Sequence, residues 1–501
     1  MRGVYNSVTD TRRKVFAAIA EMAYNDNEDY AKQMEQVPYD ILPGNQENVF
    51  LERAIIGERL RVGMGLDLRD VSEAGVVSDG IENGIQPEKY YEPPLVNIIK
   101  FACNACPEKK VIVTDMCQGC FSHQCTEVCP KKVVSIVNGR SHIDQSGCIK
   151  CGRCAEACPY HAIIKMERPC ASSCGMNAIS SDENGKAEIN YDKCVSCGQC
   201  LVNCPFGAIV DKGQIFQTIY AMKQGYEVIA AIAPAFVGQF GPKVTPDKVK
   251  TALKELGFAD VVEVAIGADL CTIDEAEDFL KNVPENLDFM GTSCCPSWSV
   301  MAKKEFPQFA KNISMALTPM VLTGRWIKKR KPKAKVVFIG PCAAKKLEAS
   351  RHSVRSDIDF VLTFEEVMGM FQAKGIDLEQ ITVDDPFVDG TKAGRQFAVT
   401  GGVAASVKEL IEKEHPDIKV KVQAAEGLKN CKTMLMMAKA GRLNGYLLEG
   451  MACPGGCVGG AGTLQAIPRS SALVKKYANE DEMKTADLSQ YGDEVHELVN
   501  N

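Results

Sequence analysis

The spacing of apolar residues divides the chain into a helical start and a long region of alternating elements. Apolar residues recur at helical spacing in VFAAIAEMAY (Val15 to Tyr24), which predicts a mostly helical region over residues 1–95. Over residues 213–463, short apolar runs typical of buried parallel strands alternate with stretches of helical spacing. The predicted strands are EVIAAIA from Glu227, VVEVAI from Val261, KVVFIG from Lys335, FAVTGG from Phe397 and GYLLEG from Gly445. Helices are predicted between them, including Asp274 to Lys281 and Ala405 to Lys413, so this region is expected to have an α/β fold.

Composition and charge narrow the class of protein. The 501 residues carry 58 Lys plus Arg against 64 Asp plus Glu, a formal charge of −6, which disfavours nucleic-acid binding. The longest apolar run, near Val228 to Val237, is about ten residues and contains Pro234, whereas a membrane-spanning helix needs about 20. The first residues show no apolar stretch of the kind found in export signals. We therefore expect a cytoplasmic protein without membrane insertion, whose residues 464–501 form surface helices.

Cysteines are concentrated in one part of the chain. Of 23 cysteines, 16 lie between Cys103 and Cys204. Such a density also occurs in secreted disulfide scaffolds, but those are short chains with an export signal. Metal ligation in a reducing compartment is the better interpretation, and residues 96–212 are predicted to form a metal-binding domain.

The cysteine-rich region contains a fourfold repeat whose segments end in VCPKKVV, ACPYHAI, SCGMNAI and NCPFGAI. Two of these segments close a complete run C-x2-C-x2-C-x3-C, and a third closes a run with a wider central gap. The three runs are Cys148, Cys151, Cys154 and Cys158; Cys194, Cys197, Cys200 and Cys204; and Cys117, Cys120, Cys125 and Cys129. This spacing with a terminal Cys-Pro is typical of bacterial two-cluster ferredoxins. The region is therefore expected to contain tandem ferredoxin-like modules with [4Fe–4S] clusters.

The ferredoxin pattern also predicts how the cysteines are shared. In two-cluster ferredoxins the fourth cysteine of each run ligates the other cluster. This rule predicts a first set of Cys117, Cys120, Cys125 and Cys158, a second of Cys148, Cys151, Cys154 and Cys129, and a third of Cys194, Cys197, Cys200 and Cys174. The run that holds Cys170 and Cys174 looks damaged, which leaves Cys170 and Cys204 two ligands short. Cys103 and Cys106 are inferred to complete a fourth set; a separate zinc knuckle or two free thiols are the alternatives.

Three cysteine-containing segments follow predicted strands further along the chain. They are TSCCPSW from Thr292, GPCAAKKLE from Gly340 and MACPGGCVGGAG from Met451. Because sites of α/β proteins gather at the carboxyl ends of strands, we expect these segments to meet at one site. Two other thiols, Cys271 and Cys431, are isolated and are predicted to be small core residues.

These three segments resemble the three H-cluster signatures of [FeFe]-hydrogenases, and together with the ferredoxin runs the resemblance covers residues 96–463. That family interconverts two protons and two electrons with H2. Its active site is a cubane joined through one cysteine to a diiron unit that carries CO, cyanide and a bridging dithiolate. The resemblance implies a two-lobed α/β hydrogenase domain with parallel sheets, preceded by the ferredoxin-like modules.

The resemblance also implies roles for individual residues, carried over by position. The cubane ligands would be Cys295, Cys342, Cys453 and Cys457, with Cys457 as the bridge. Cys294 would be the last proton relay, Lys345 would hydrogen-bond a cyanide, and Pro296 and Met451 would line the diiron pocket. Soft thiolates suit iron–sulfur clusters, and a lysine is a point donor suited to a small anionic ligand. The proton relay would continue through Glu275, Ser314 and Asp278; a solvated acidic helix face is the alternative for the two acids.

Several positions depart from the family pattern. Gly340 stands where the family usually has methionine, Ala461 interrupts the usual glycine run, and Asp278 replaces a glutamate. The first two changes affect the tuning of the pocket rather than ligation, and the third shortens the reach of the acid by one methylene. The resemblance implies ferredoxin or a similar carrier as electron partner, H2 and protons as substrates, and separate maturation proteins that install the diiron unit. A hydrogenase-like iron–sulfur assembly protein, a hydrogen sensor and a subunit of an electron-bifurcating complex remain as alternatives.

Overall fold

Three α-helices form much of the region before the first cysteine in the computed structural model, which describes residues 3–44, 48–70, 72, 75–88, 91–383, 385–387 and 389–500. Helices α1–α3 span Ser7–Tyr24, Tyr30–Ile41 and Val49–Gly63. Asn6 caps α1 by accepting a hydrogen bond from the backbone N–H of Thr9, and Val15, Ile19 and Met22 form its buried face. That face packs against helices of the α/β region described below.

Short strands and helices make up the cysteine-rich region, residues 96–212, in which the structure describes every residue. Strands β1–β8 are Val96–Ile98, Lys110–Val113, Val134–Val137, Arg140–Ile143, Ile163–Met166, Ile179–Ser181, Ala187–Ile189 and Ile209–Asp211. Helices α4–α7 are Gln124–Glu127, Arg153–Glu156, Pro169–Ser173 and Gln199–Asn203.

The pairing of these strands shows two ferredoxin-like units, one inserted into the other. In the inner unit, β2 pairs antiparallel with β5 and β3 with β4. In the outer unit, β1 pairs antiparallel with β8 and β6 with β7. Since β1 precedes the inner unit and β6 to β8 follow it, residues 110–166 interrupt the outer unit.

The α/β region consists of two parallel sheets with helices packed against them. Its helices α8–α17 are Ile215–Lys223, Pro246–Glu255, Ala265–Asn282, Pro296–Glu305, Pro319–Arg330, Ala343–Ala349, Phe364–Lys374, Lys392–Gln396, Gly402–Glu414 and Leu428–Lys439. Its strands β9–β15 are Val228–Ile232, Asp260–Glu263, Met290–Gly291, Lys335–Ile339, Phe360–Leu362, Lys421–Glu426 and Tyr446–Met451. One sheet has the order β10-β9-β12-β13 and the other β11-β15-β14, and every pairing is parallel. All five residues of β9 are buried, as expected for a strand covered on both faces. The two sheets form the two lobes of the expected α/β domain.

Two of the predicted strands differ from the structure. The run from Phe397 to Gly402 is a buried turn between α15 and α16, in which Gly401 has a φ of 88°. The run from Val261 changes from strand to helix, because β10 ends at Glu263 and α10 begins at Ala265. Apolar runs of this length do not by themselves distinguish a strand from another buried segment.

The chain ends in helices that lie on the α/β region. Helices α18 and α19 span Ile467–Glu480 and Val495–Asn500. Val474 and Ala478 of α18 are buried, and α19 packs against α10 and α12. Within the described residues, no helix combines the length and the apolar character needed to cross a bilayer.

Candidate functional site

Loops from both sheets line one cavity at the carboxyl ends of β11, β12 and β15. All eight side chains expected around the H-cluster lie on its wall: Cys294, Cys295, Pro296, Cys342, Lys345, Met451, Cys453 and Cys457. Much of the remaining wall is apolar and includes Pro234, Phe338 and Phe397. The strand-end position is the one at which α/β sheets place their ligands. The structure therefore brings three segments that are distant in sequence to a single buried site.

The chemistry of these thiols fits an iron–sulfur cluster. Burial raises the pKa of Cys342 to about 11, and the nearby Cys295 thiolate adds to the rise. Burial also raises the pKa of Cys453, with Cys342 and Cys295 as the nearest negative groups. Iron binds thiolates rather than thiols, so positive charge at the centre of the cavity would relieve this repulsion. Among the described residues, no three His, Cys, Asp or Glu side chains are placed so that they could hold a single metal ion. The thiols are instead spread over the cavity wall.

Local sequence explains the position of Cys295. Pro296 is the first residue of α11, where a proline is well accommodated, so Cys295 stands at the helix N-terminus. Its Sγ accepts a hydrogen bond of 3.5 Å from the backbone N–H of Ala452. The partial positive charge of a helix N-terminus favours a thiolate at this position.

Lys345 is a buried cation rather than a solvated lysine. Its Nζ lies 2.6 Å from Oε2 of Glu348, one turn further along α13. Burial alone would lower the pKa of Lys345, but Glu348 and the Cys342 thiolate raise it above its ordinary value. The ammonium group therefore remains a charged hydrogen-bond donor at the cavity wall.

Glu275 on α10 reaches the loop that carries the two adjacent cysteines. Its Oε1 accepts hydrogen bonds from the backbone N–H of Ser293 at 2.6 Å and from the Ser293 hydroxyl at 3.0 Å. Its Oε2 is buried without a partner among the described residues. Burial raises the pKa of Glu275 to about 7, and Glu275 is the largest charged contribution that raises the pKa of Cys294. Glu275 can therefore take up and release a proton near neutral pH beside Cys294.

Asp278 and Ser314 form the outer part of the expected relay. The Ser314 hydroxyl donates a hydrogen bond of 2.9 Å to Oδ2 of Asp278, while Asn282 donates to Oδ1 at 2.8 Å. Asp278 is half-buried, whereas Ser314 and Glu275 are buried. The structure thus places the predicted relay residues in two hydrogen-bonded pairs, Glu275 with Ser293 and Asp278 with Ser314. No hydrogen bond among the described residues joins the two pairs.

The third cysteine set packs directly against the cavity. The side-chain amide of Gln199, between Cys197 and Cys200, donates a hydrogen bond of 3.1 Å to Sγ of Cys453. A Cβ at Gly198 would lie 2.6 Å from Cβ of Ala461, so the cysteine loop and the last motif are in close contact. The third cysteine set therefore lies next to the thiols of the cavity wall.

Several of the other cysteines lie near members of the set predicted for them. Thiolates of the same predicted set are neighbours of Cys154 in the second set and of Cys197 in the third. In the first set, Cys117 and Cys125 both contact Ser141. Burial raises the pKa of Cys170 to about 11, with Cys204 and Cys103 as neighbouring thiolates.

The nested units explain the run that looked damaged. Cys103 and Cys106 follow β1, and Cys170 and Cys174 lie in and after α6, on the other side of the inserted unit. Together they form one cysteine run of the outer unit, split by the insertion of residues 110–166. The predicted fourth set therefore takes Cys103, Cys106 and Cys170 from an interrupted run rather than from a degraded one.

Two further sequence features have a structural explanation. A Cβ at Gly340 would lie 2.5 Å from Cε1 of Phe338, so the Phe338 ring fills the space beside Gly340 and forms part of the cavity wall. Cys271 and Cys431 are both completely buried. Cys431 lies among apolar side chains, whereas Cys271 has apolar neighbours but also a hydrogen bond with Ser293 and Glu275 nearby.

Sequence reasoning missed three residues that contact the site: Ser293, Glu348 and Gln199. Ser293 and Glu348 belong to the cysteine motifs, so their positions were visible although their contacts were not. Gln199 lies between two cluster cysteines, but its contact with Cys453 joins residues 254 positions apart. No local signal in the sequence indicates that contact.

Comparisons with known proteins show which family this chain resembles. Residues 226–461 match the family described as the iron only hydrogenase large subunit, C-terminal domain, and residues 141–164 and 186–209 match 4Fe-4S binding domains. The chain is 31% identical to iron hydrogenase 1 of Clostridium pasteurianum over 69% of each chain. It is 32% identical to the periplasmic [Fe] hydrogenase large subunit of Nitratidesulfovibrio vulgaris over 66% of this chain and 89% of that one.

More distant similarities extend to another activity. A cytosolic iron-sulfur assembly component 3 from Pongo abelii is 26% identical over 48% of this chain and 61% of its own length. A solved [FeFe]-hydrogenase structure from Chlamydomonas reinhardtii matches with a TM-score of 0.44 and 22% identity, over 54% of this chain and 89% of that one. The alignments with the two hydrogenase relatives named above cover most of the length of each relative, at more than 30% identity. The chain belongs to the iron-only hydrogenase family.

Proposed function

We propose that this protein is an [FeFe]-hydrogenase that interconverts two protons and two electrons with H2. The observation that carries the proposal is the single cavity lined by all eight side chains of the three motifs. An iron–sulfur assembly protein would require ligands for a cubane. It would not require Cys294 or the buried carboxylate of Glu275 beside it.

Four thiolates would hold the cubane of the H-cluster: Cys295, Cys342, Cys453 and Cys457. Cys457 would also ligate the diiron unit that carries CO, cyanide and a bridging dithiolate. When bound, the H-cluster supplies the redox chemistry that joins two protons and two electrons. Lys345, held charged by Glu348, is positioned to donate a hydrogen bond to an anionic ligand in the cavity. Pro296, Met451 and the other apolar wall residues exclude water from it.

Protons would reach the cavity through residues of α10 and its neighbours. Asp278 lies nearest the surface and shares a hydrogen bond with Ser314. Glu275 accepts from Ser293, directly before Cys294, and its pKa of about 7 suits a group that is alternately protonated and ionised at neutral pH. Cys294 would deliver the proton, since its raised pKa keeps it a neutral thiol.

Electrons would travel through four [4Fe–4S] clusters, one on each cysteine set. The inner unit, residues 110–166, has seven Lys and Arg against four Asp and Glu, in a chain whose formal charge is −6. Its Cys151 is exposed, as are Phe121 and Ile149. An electron carrier with an acidic surface, such as a ferredoxin, complements this unit.

The proposed function also includes a cellular location and maturation partners. We place the protein in the cytoplasm, where reducing conditions keep its thiols free for iron. Separate maturation proteins would install the diiron unit, so a chain made without them would carry cubanes only. Nucleic acid is not among the proposed partners.

Infrared spectroscopy and H2 assays of the full chain, made with and without maturation proteins, test the proposal. The matured protein is expected to show CO and cyanide stretching bands and to evolve H2 with a strong reductant, whereas the unmatured control shows neither. Iron–sulfur spectra without those bands in the matured sample would refute the hydrogenase assignment and favour the assembly role. Bands accompanied by very low turnover would instead favour a hydrogen sensor.

A further inference from the structure

A buried arginine without a carboxylate partner lies on one side of the fourth cysteine set. Arg168, two residues before Cys170, is only 3% exposed. Its guanidinium donates to the backbone oxygens of Cys106 at 2.9 Å, Ser180 at 2.9 Å and Gly185 at 2.7 Å. These acceptors are neutral, so its charge is not balanced by the groups that hold it.

A second buried arginine comes from the N-terminal helical region. Arg59 on α3 is 7% exposed, and its Nη2 donates to the backbone oxygen of Gly207, three residues after Cys204. Its Nε has no partner among the described residues. Glu365 is the negative group that acts most strongly on Arg59, but it lies 2.6 Å from Arg12 and is paired with it. Cys204 is the next negative neighbour of Arg59, whose charge is therefore only partly compensated.

Buried charges are normally paired, and most buried cations of this protein follow that rule. Lys345 pairs with Glu348, and Arg395 pairs with Glu263. Arg168 instead has Cys106 and Cys170 of the fourth set as its negative neighbours. Arg59 has Cys204 of that set besides Glu365, which is already paired with Arg12. A [4Fe–4S] cluster held by four thiolates is an anion, and it gains one more negative charge on reduction. Two fixed cations beside it favour the reduced form.

The third set lies in a different environment. The cation that acts on Cys194 is Lys304, whose side chain is exposed and therefore screened by water. Both sets belong to the outer unit, so the two buried arginines are a clear electrostatic difference between them.

We propose that Arg59 and Arg168 raise the reduction potential of the cluster on Cys103, Cys106, Cys170 and Cys204 above that of the third cluster. The fourth cluster then accepts one electron from the carrier side and holds it until the third cluster is oxidised. This inference rests on the accessory clusters of the proposed function and gives the N-terminal region a role in electron storage.

Redox titration of the full chain, followed by electron paramagnetic resonance, tests the proposal. Cys204→Ser identifies the signal of the fourth cluster. In Arg59→Met and Arg168→Met that signal should move to more negative potential while the other signals stay in place. Arg59→Lys should remain close to the wild type, because it keeps the charge. Arg61→Met is the matched control: Arg61 is a buried arginine of the same helix that faces Glu58 and Asp79 rather than thiolates, so its loss should move no signal.

Two results would overturn the proposal. One is an unchanged fourth-cluster potential in a methionine variant that retains its full iron content. The other, which needs no arginine variant, is a wild-type titration in which the third cluster is reduced before the fourth. Because the cubanes assemble without the diiron unit, these potentials remain measurable in a protein that shows no CO bands and no H2 activity. Failure of this proposal is therefore distinguishable from failure of the proposed function.

Discussion

Replacing Glu275 with glutamine separates its role in proton transfer from its effect on stability. Glutamine keeps the size of the side chain and an oxygen that accepts from Ser293, but it cannot release a proton at neutral pH. If Glu275 carries protons to Cys294, Glu275→Gln should lose about two to four orders of magnitude in H2 turnover, the range that a positioned acid or base contributes. Iron content and infrared bands should be unchanged, since Glu275 is not a proposed ligand.

The same substitution should stabilise the protein at alkaline pH. Burial raises the pKa of Glu275 from 4.5 to about 7, and one pKa unit corresponds to about 1.4 kcal/mol, so ionisation costs the folded state about 3 kcal/mol. Below pH 4.5 the group is protonated in both states and costs nothing. As the pH rises from 4.5 to about 7 the unfolded state loses its proton first, so wild-type stability falls across this window and remains lower above it. Glutamine never ionises and escapes the penalty.

Thermal unfolding at pH 5 and pH 8 measures this difference. Glu275→Gln should melt near the wild-type temperature at pH 5 and roughly 6–12 °C higher at pH 8, the shift expected for about 3 kcal/mol in a domain of this size. Glu414→Gln, at an exposed position at the end of α16, is the control and should melt like the wild type at both values. The absence of a stability gain at pH 8 would contradict the raised pKa of Glu275, and H2 turnover at the wild-type rate would contradict its role in proton transfer.

Three further predictions concern the cysteines and their contacts. Cys294→Ala should keep the CO bands but lose about three orders of magnitude in turnover, roughly 4 kcal/mol of barrier, whereas Cys295→Ala should lose the cluster. Infrared spectra and H2 assays of both variants check this prediction. Loss of the bands in Cys294→Ala would contradict the assigned roles. The unmatured full chain should contain about twenty irons in five cubanes, and Cys103→Ser should lower the content by about four; bound zinc in the wild type would instead indicate a zinc knuckle. Gln199→Leu removes the hydrogen bond to a cubane thiolate and should shift the potential of that cubane to more negative values, as measured by redox titration; an unchanged potential would show that the contact does not tune the cluster.

Iron–sulfur binding is predicted from the sequence because the pattern that indicates it is the spacing of neighbouring cysteines. Three thiolates on a short loop, as in Cys148, Cys151 and Cys154, suit a cubane wherever the loop lies in the fold. The three H-cluster segments are equally local, since each follows a strand and carries its ligands within a few residues. Buried strands such as β9 and β12 were predicted because strands covered on both faces have continuous apolar runs.

Contacts between distant segments were decided by the tertiary structure. The hydrogen bond from Gln199 to Cys453 depends on how the outer ferredoxin-like unit packs on the α/β region. The buried turn at Phe397 looked like a strand, because an apolar run reports burial and not backbone direction.

The grouping of the fourth cysteine set depended on both the sequence and the tertiary structure. The sequence alone determined which four thiols remained to be grouped, because ligand number and cysteine spacing are properties of the chain. Only the pairing of β1 with β8 showed that Cys103 and Cys170 belong to one run split by an insertion. The positions of Arg59 and Arg168 beside that set also required the folded protein, since burial and electrostatic neighbours arise when residues far apart in sequence pack together.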